Sequence, residues 1–170
     1  MLPLISIALL AFLPMLVETF VSARNERVLR RLGAIEPVDD VIGLMRFAYP
    51  LAFAVMLTEG YVRAVATDDV FMIGLVVFLI AKTLKYWAIG TLGTRWTFRV
   101  LVPRDSVRIT AGPYRFMRHP NYVAVLGELV GTMVMARAWV VGPIATIGFG
   151  LLMLARVRVE ERALTLESRR

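Results

Sequence analysis

The chain has 170 residues, 58% of them hydrophobic, with 20 Lys and Arg against 13 Asp and Glu for a net charge of +7. A mean hydropathy of +0.69 excludes an ordinary soluble domain, in which about 45–50% of residues are apolar, and a disordered chain, which lacks the apolar surface to fold. With no Cys, disulfides, a thiolate nucleophile and a Cys-based metal site are excluded as well.

Five predominantly apolar stretches, residues 2–20, 41–62, 70–89, 122–136 and 140–155, predict an all-α integral membrane protein of about five spans. The first three reach the roughly 20 residues needed to cross the hydrocarbon core. The last two are shorter and joined only by Arg137-Ala138-Trp139, which predicts a tight helical hairpin, tilted or in a locally thinned bilayer. No Lys or Arg precedes the first stretch and no small-x-small site follows it, so it reads as a retained span and not a cleaved signal peptide. This span is expected to continue as helix to about Arg31 and to stop at Gly33. Pro37-Val38-Asp39-Asp40 reads as the start of the second span, its aspartates favoured by the helix dipole. Pro50 and Gly60 are expected to interrupt that span.

Charge sorts these spans. Arg24, Arg27, Arg30 and Arg31 follow the first, Arg95, Arg99, Arg104, Arg108, Arg115 and Arg118 follow the third, and Arg156, Arg158, Arg162, Arg169 and Arg170 fill the tail. The opposite side holds only Arg63 and Arg137, while Arg46, Lys82 and Lys85 read as snorkelling side chains near span ends. The positive-inside rule therefore puts the N-terminus outside and the C-terminus in the cytoplasm of a multi-pass protein of the inner (cytoplasmic) membrane. Topology accounts for the basic excess without nucleic acid.

No repeat or long linker divides the chain, so 1–170 reads as one domain: three spans over 1–89, then a loop, a hairpin and a tail over 90–170. A loop as long as 90–122 is functional or disordered, and Trp96, Phe98, Tyr114, Phe116 and Tyr122 argue against disorder. The segment 112–122 is the densest in chemically able groups and holds His119, the chain's only His, kept out of helical conformation by Pro120. Arg156 and Glu160 are four apart on a predicted helix, with Glu161 beside them. Glu18, Glu59 and Glu128 fall within or near spans, where ionisable groups face the protein interior. Glu128 is read either as lining an acceptor tunnel or as making an interhelical hydrogen bond. Tyr86, Trp87, Trp96 and Trp139 read as interfacial anchors.

Gly112-x-Tyr114-x-x-x-Arg118-His119-Pro120-x-Tyr122, followed by two spans and Arg156-x-x-x-Glu160-Glu161-x-x-Leu164, resembles the isoprenylcysteine carboxyl methyltransferase family and its phospholipid methyltransferase relatives over about residues 92–166. Glu18-x-x-x-Ser22-x-Arg24-Asn25-Glu26-Arg27, Gly33-Ala34-x-Glu36 and Leu92-Gly93-x-Arg95-Trp96-Thr97 are similar to a short bacterial subgroup, some members of which methylate hydroxyls of long-chain alkylpyrones and alkylresorcinols.

The resemblance implies S-adenosyl-L-methionine bound without a Rossmann domain, in keeping with the missing Gly-x-Gly-x-x-Gly, and a lipophilic acceptor entering from the lipid. It implies a cofactor site of Tyr114, His119, Pro120, Tyr122 and Glu160, with Asn121 as a neighbour and the backbone of 106–109, Val107, Arg108 and Ile109 included, running along it. It gives Arg156 the catalytic and acceptor-facing role, with Glu128 as a second candidate for acceptor binding. Membrane lipids are the expected surroundings, and neither metal nor nucleic acid is called for.

Methyl transfer from a sulfonium is an in-line displacement, in which aligning the partners contributes about 7–11 kcal/mol. An ionised acceptor oxygen would be stabilised by the Arg156 guanidinium. For a phenol a general base helps, and His119 is the one side-chain type here that changes charge near neutral pH. Two alternatives stay open: N-methylation of a phospholipid amine, and a non-enzymatic lipid-binding or transport protein. Charges gathered on one face instead of along a midplane path weigh against transport. Eukaryotic members run on past the Glu-Glu pair with an aromatic-rich tail where this sequence stops at Arg170, which weakens the expectation of a prenylcysteine acceptor.

Overall fold

In the computed structural model each apolar stretch is a helix, and local chemistry sets its ends. Described are residues 1–36, 41–101 and 109–167, with the side chains of all but Glu160 and 162–167. The chain order is α1 (Leu2–Arg31), α2 (Ile42–Val62), α3 (Asp69–Leu92), α4 (Pro120–Met135) and α5 (Val141–Glu167), with one-turn 3-10 segments at Gly93–Arg95 and Gly112–Arg115. α1, α2, α3 and α5 are long and apolar enough to cross a membrane. α4, at 16 residues, is shorter and packs along α3, the most extensive helix pairing in the molecule.

α1 ends as expected. Gly33 takes φ +76°, Gly33 N donates to Arg30 O at 3.1 Å and Ala34 N to Leu29 O at 3.0 Å, the paired bonds of a Schellman cap. α2 differs from expectation in being one continuous helix through Pro50 and Gly60; it is described from Ile42, and the expected start at 37–40 lies outside the described residues. At the start of α3, Asp68 accepts from Phe71 N at 3.1 Å as an N-cap. The hairpin between α4 and α5 is as tight as predicted. Arg137 in its turn pairs with Asp68, while Glu59 of α2 accepts from Val141 N at 2.8 Å at the start of α5.

The α3–α4 contact depends on missing side chains. A Cβ on Gly131 would lie 2.7 Å from Phe78 N, and one on Gly74 would lie 2.5 Å from Met135 N. With Gly127, Gly131 forms the small-xxx-small face by which membrane helices approach closely. Ile7, Phe53, Met56, Phe78, Leu129 and Met135 are wholly buried, whereas Phe20, Phe47, Ile80 and Ile147 point outward as a lipid-facing belt would require.

This packing overturns two readings. Lys82 and Lys85 do not snorkel: they are buried and paired with Glu18 and Glu128, because α1, α3 and α4 bring two cations and two carboxylates into one layer. Trp96 is no interfacial anchor but a buried side chain packed edge-on to Phe98, 5.3 Å between ring centroids. Tyr86, Trp87 and Trp139 are exposed, as anchors would be.

Candidate active site

The site begins with how Pro120 starts α4. Proline at the first helical position fixes the helix entry and leaves His119 as the N-cap residue, φ −130° and ψ 62°. From there the imidazole stacks on Tyr122, with centroids 5.5 Å apart and planes at 24°, and its Nε2 lies 3.5 Å from Glu161 Oε1 of α5. Arg118 approaches the same carboxylate at 3.8 Å. The turn before the motif is seated by Gly112, whose φ of +56° suits glycine and whose Cβ would strike Thr91 Oγ1 at 2.4 Å.

On the other side of Tyr122 stands Arg156, only 5% exposed. Its Nε donates to the Tyr122 hydroxyl at 3.0 Å and its Nη2 to Phe98 O. The Phe98 segment is in turn fastened to α1. Phe98 N donates to Ser22 Oγ at 2.8 Å, and Asn25 Nδ2 donates to Trp96 O at 2.8 Å and Gly93 O at 3.1 Å. Arg99 Nη1 meets Glu36 at 2.6 Å, and Glu36 also pairs with Arg30. Burial opposes ionisation of Glu36, but hydrogen bonds from Arg99 and Arg30 outweigh it and hold its carboxyl below the ordinary range.

Arg156, Tyr122 and Asn121 border a cavity of about 360 Å³ between α1, α2, α4 and α5. Ser22, Glu26, Arg46 and Arg99 line it toward the helix ends where 93–99 packs; Met15, Met45, Pro50, Val125, Phe149 and Met153 line it deeper along the same helices. Three polar residues interrupt the apolar depth, Thr19, Tyr49 and Lys85. Behind them lies the buried ionic layer. Lys85 Nζ is 2.6 Å from Glu18 and 3.4 Å from Glu128, Lys82 Nζ is 3.0 Å and 3.1 Å from the same pair, and the Tyr49 hydroxyl donates to Glu128.

Of the residues singled out from sequence, Asn121, Tyr122 and Arg156 meet at this cavity, with His119 against Tyr122 and Pro120 buried at the helix start. Tyr114 and Ile109 are half-buried and do not line it. Glu128 is not among the lining residues either; it bonds Tyr49 across helices one layer behind the wall. Val107 and Arg108 lie outside the described residues, as does the side chain of Glu160. Sequence reasoning gave no site role to Ser22, Asn25, Arg46, Tyr49 or Lys85. The first two carried a usable signal: Glu18, Ser22, Asn25 and Leu29, spaced 4, 3 and 4, form one buried face of α1 with polar groups on it. Among the described residues, no group of three or more His, Asp or Glu gathers as a metal site would require.

Comparison with known proteins adds a relation to this geometry. Residues 72–166, from α3 to the end of α5, match the sequence profile of the isoprenylcysteine carboxyl methyltransferase (ICMT) family. The chain is 27% identical over 147 residues to the uncharacterized protein YpbQ of Bacillus subtilis, covering 86% of this chain and 88% of that one. It is 30% identical over 113 residues to a probable protein-S-isoprenylcysteine O-methyltransferase of Oryza sativa subsp. indica, 62% of this chain and 57% of the rice protein. It is 33% identical over 82 residues to protein-S-isoprenylcysteine O-methyltransferase B of Arabidopsis thaliana, covering 47% and 40% of the two chains.

Proposed function

The chain belongs to the isoprenylcysteine carboxyl methyltransferase family, and from that premise we propose that it moves a methyl group from S-adenosyl-L-methionine to an oxygen of a lipophilic acceptor at the cytoplasmic face of the inner membrane. Family membership carries the coarser part: a membrane methyltransferase with a lipophilic substrate. The finer part rests on one observation, that Tyr122 joins the His119 stack to the buried Arg156 at the edge of a cavity with apolar depth.

The residues around Tyr122 suit a ligand that combines cationic and hydrogen-bonding groups. Asn121 Oδ1 is buried with no hydrogen-bond partner, an acceptor that a ligand N–H or O–H would satisfy. The stacked His119 and Tyr122 rings and the Glu161 carboxylate favour positive charge nearby. Glu160, in the adjoining turn of α5, is assigned to the cofactor on the family resemblance. When bound, the cofactor supplies a methyl group activated on a sulfonium.

The protein's part is to bind, align and exclude water. Met15, Met45, Phe149 and Met153 offer the acceptor tail an apolar bed. Arg156, clamped by the Tyr122 hydroxyl and the Phe98 carbonyl, holds a carboxylate or acidic hydroxyl in its ionised form. The same guanidinium disfavours a phospholipid amine, which would have to arrive uncharged beside a buried cation. The one-sided basic residues support an outside N-terminus and a cytoplasmic C-terminus.

The test is methyl transfer from labelled S-adenosyl-L-methionine in membranes holding wild type, His119→Ala or Glu160→Ala. Wild type is expected to label a lipid fraction and the variants to lose it. Wild-type membranes that bind no cofactor overturn the proposal.

A further inference from the structure

A hydroxyl with a pKa of about 10 reaches the site carrying its proton, and that proton has to leave as the oxygen is methylated. Arg156 stabilises a developing oxyanion but takes no proton, since a guanidinium stays protonated in proteins. A proton acceptor must therefore border the same cavity. His119 is not among its lining residues: the ring stacks on Tyr122 and Nε2 faces Glu161. Tyr49 donates its own proton to Glu128, and Lys85 is held between Glu18 and Glu128, neither of which lines the cavity. Among the described residues, Glu26 is the one carboxylate that does.

A continuous run of bonds ties Glu26 to Arg156. Ser22 Oγ donates to Glu26 Oε1 at 2.8 Å and accepts from Phe98 N at 2.8 Å, and Arg156 Nη2 donates to Phe98 O. One hydroxyl and one peptide thus link carboxylate to guanidinium, and both end groups line the cavity. Glu26 also keeps accepting capacity. A carboxylate offers about four lone pairs; Ser22 takes one on Oε1, and Arg99 Nε stands 3.5 Å from Oε2 while its close contact, at 2.6 Å, goes to Glu36. The Glu26 side chain is 21% exposed, which gives a captured proton a way out to water.

Resting on the O-methylation reading, we infer that Glu26 is the general base that takes the proton of the acceptor hydroxyl, with Ser22 holding its carboxylate in place. A carboxylate is too weak a base to ionise a phenol beforehand, so proton transfer accompanies methylation. The acceptor O–H bond breaks, its proton going to a Glu26 oxygen; the freed pair forms the O–CH3 bond, and the S–CH3 pair returns to sulfur. The proton then passes from Glu26 to water. Glu26 stands outside the segment that matches the family, so the base is supplied by α1.

The experiment gives the purified full chain in lipid nanodiscs two acceptor probes of equal chain length, a para-alkylphenol and its ortho-nitro derivative, which ionises near neutral pH and needs no base. With labelled S-adenosyl-L-methionine, wild type is expected to methylate both. Glu26→Gln can still accept from Ser22; it is expected to lower kcat on the phenol by about 100-fold or more and on the nitrophenol by less than about tenfold. Glu26→Asp, which keeps a carboxylate, is expected to retain more phenol turnover than Glu26→Gln. A second measurement needs no turnover: with cofactor omitted, the visible phenolate band of the bound nitrophenol is followed against pH. Removing a neighbouring negative charge favours the phenolate, so in Glu26→Gln the band is expected to appear about one pH unit lower than in wild type. Equal losses on both probes, Glu26→Asp no better than Glu26→Gln, or an unmoved titration overturns the inference, as does a wild type that methylates only the nitrophenol. No transfer to either probe overturns the O-methylation reading on which the inference rests.

Discussion

The Tyr122 hydroxyl accepts from Arg156 Nε at 3.0 Å while its ring stacks on His119. One side chain thus links the start of α4 to the guanidinium on α5. Tyr122→Phe keeps the stack and removes only the bond. A hydrogen bond to a charged group contributes about 1.5–3 kcal/mol, so kcat/KM for methyl transfer is expected to fall roughly 10- to 100-fold with cofactor affinity little changed. Titrating cofactor binding alongside turnover checks this; equal losses in both would place the role of the hydroxyl on the cofactor side.

Arg156 is held from α1 as well, through the peptide of Phe98. Ser22→Ala and Asn25→Ala each remove bonds that fasten 93–98. Each is expected to cost about 1 kcal/mol of stability, and Ser22→Ala is also expected to lower kcat more than it raises KM, with partial rescue by Ser22→Thr. Thermal unfolding in detergent and steady-state kinetics measure the two effects separately.

The close α3–α4 approach makes Gly131 intolerant of side chains. Gly131→Val drives carbon atoms into the backbone of Phe78, and overpacking of that kind costs about 1–3 kcal/mol. The variant is expected to unfold at lower temperature and to lose activity together with stability. A Gly148→Ala control, where nothing lies within 4 Å, is expected to behave as wild type.

Acid should loosen the Glu36 contact. Its pKa is held below the ordinary carboxylate value of 4.5 by Arg99 and Arg30 against the opposing effect of burial. A depressed acid stabilises the fold fully above its unfolded pKa and ceases to do so as pH falls through the lower, folded value. The difference in unfolding temperature between wild type and Glu36→Gln is therefore expected to be constant from pH 7 down to about 5 and to shrink below about 4.5. A difference that grows on acidification contradicts this assignment.

Much of this architecture could be read locally. The apolar stretches mark all five helices, Gly33 marks the end of α1, and the His119-Pro120 step marks the start of α4. Those features depend on neighbours in sequence. Lys82 and Lys85 looked like residues at the edge of a span because nothing local reveals that Glu18, 64 positions from Lys82, faces them across the bundle. Trp96 looked like an anchor for the same reason, its burial being decided by the α1 end that folds over it through Asn25. For the site, the motif brought Tyr122, Asn121 and Arg156 to notice, whereas Ser22, Tyr49 and Lys85 join them only through tertiary packing.

The most direct measurement is mass spectrometry of the product formed when purified chain in nanodiscs is given a bacterial lipid extract and isotopically labelled S-adenosyl-L-methionine. The account predicts a labelled methyl on an oxygen of an amphiphile, formed by wild type and not by Arg156→Ala. Label on a nitrogen, or equal O-labelling by the Arg156→Ala variant, contradicts it.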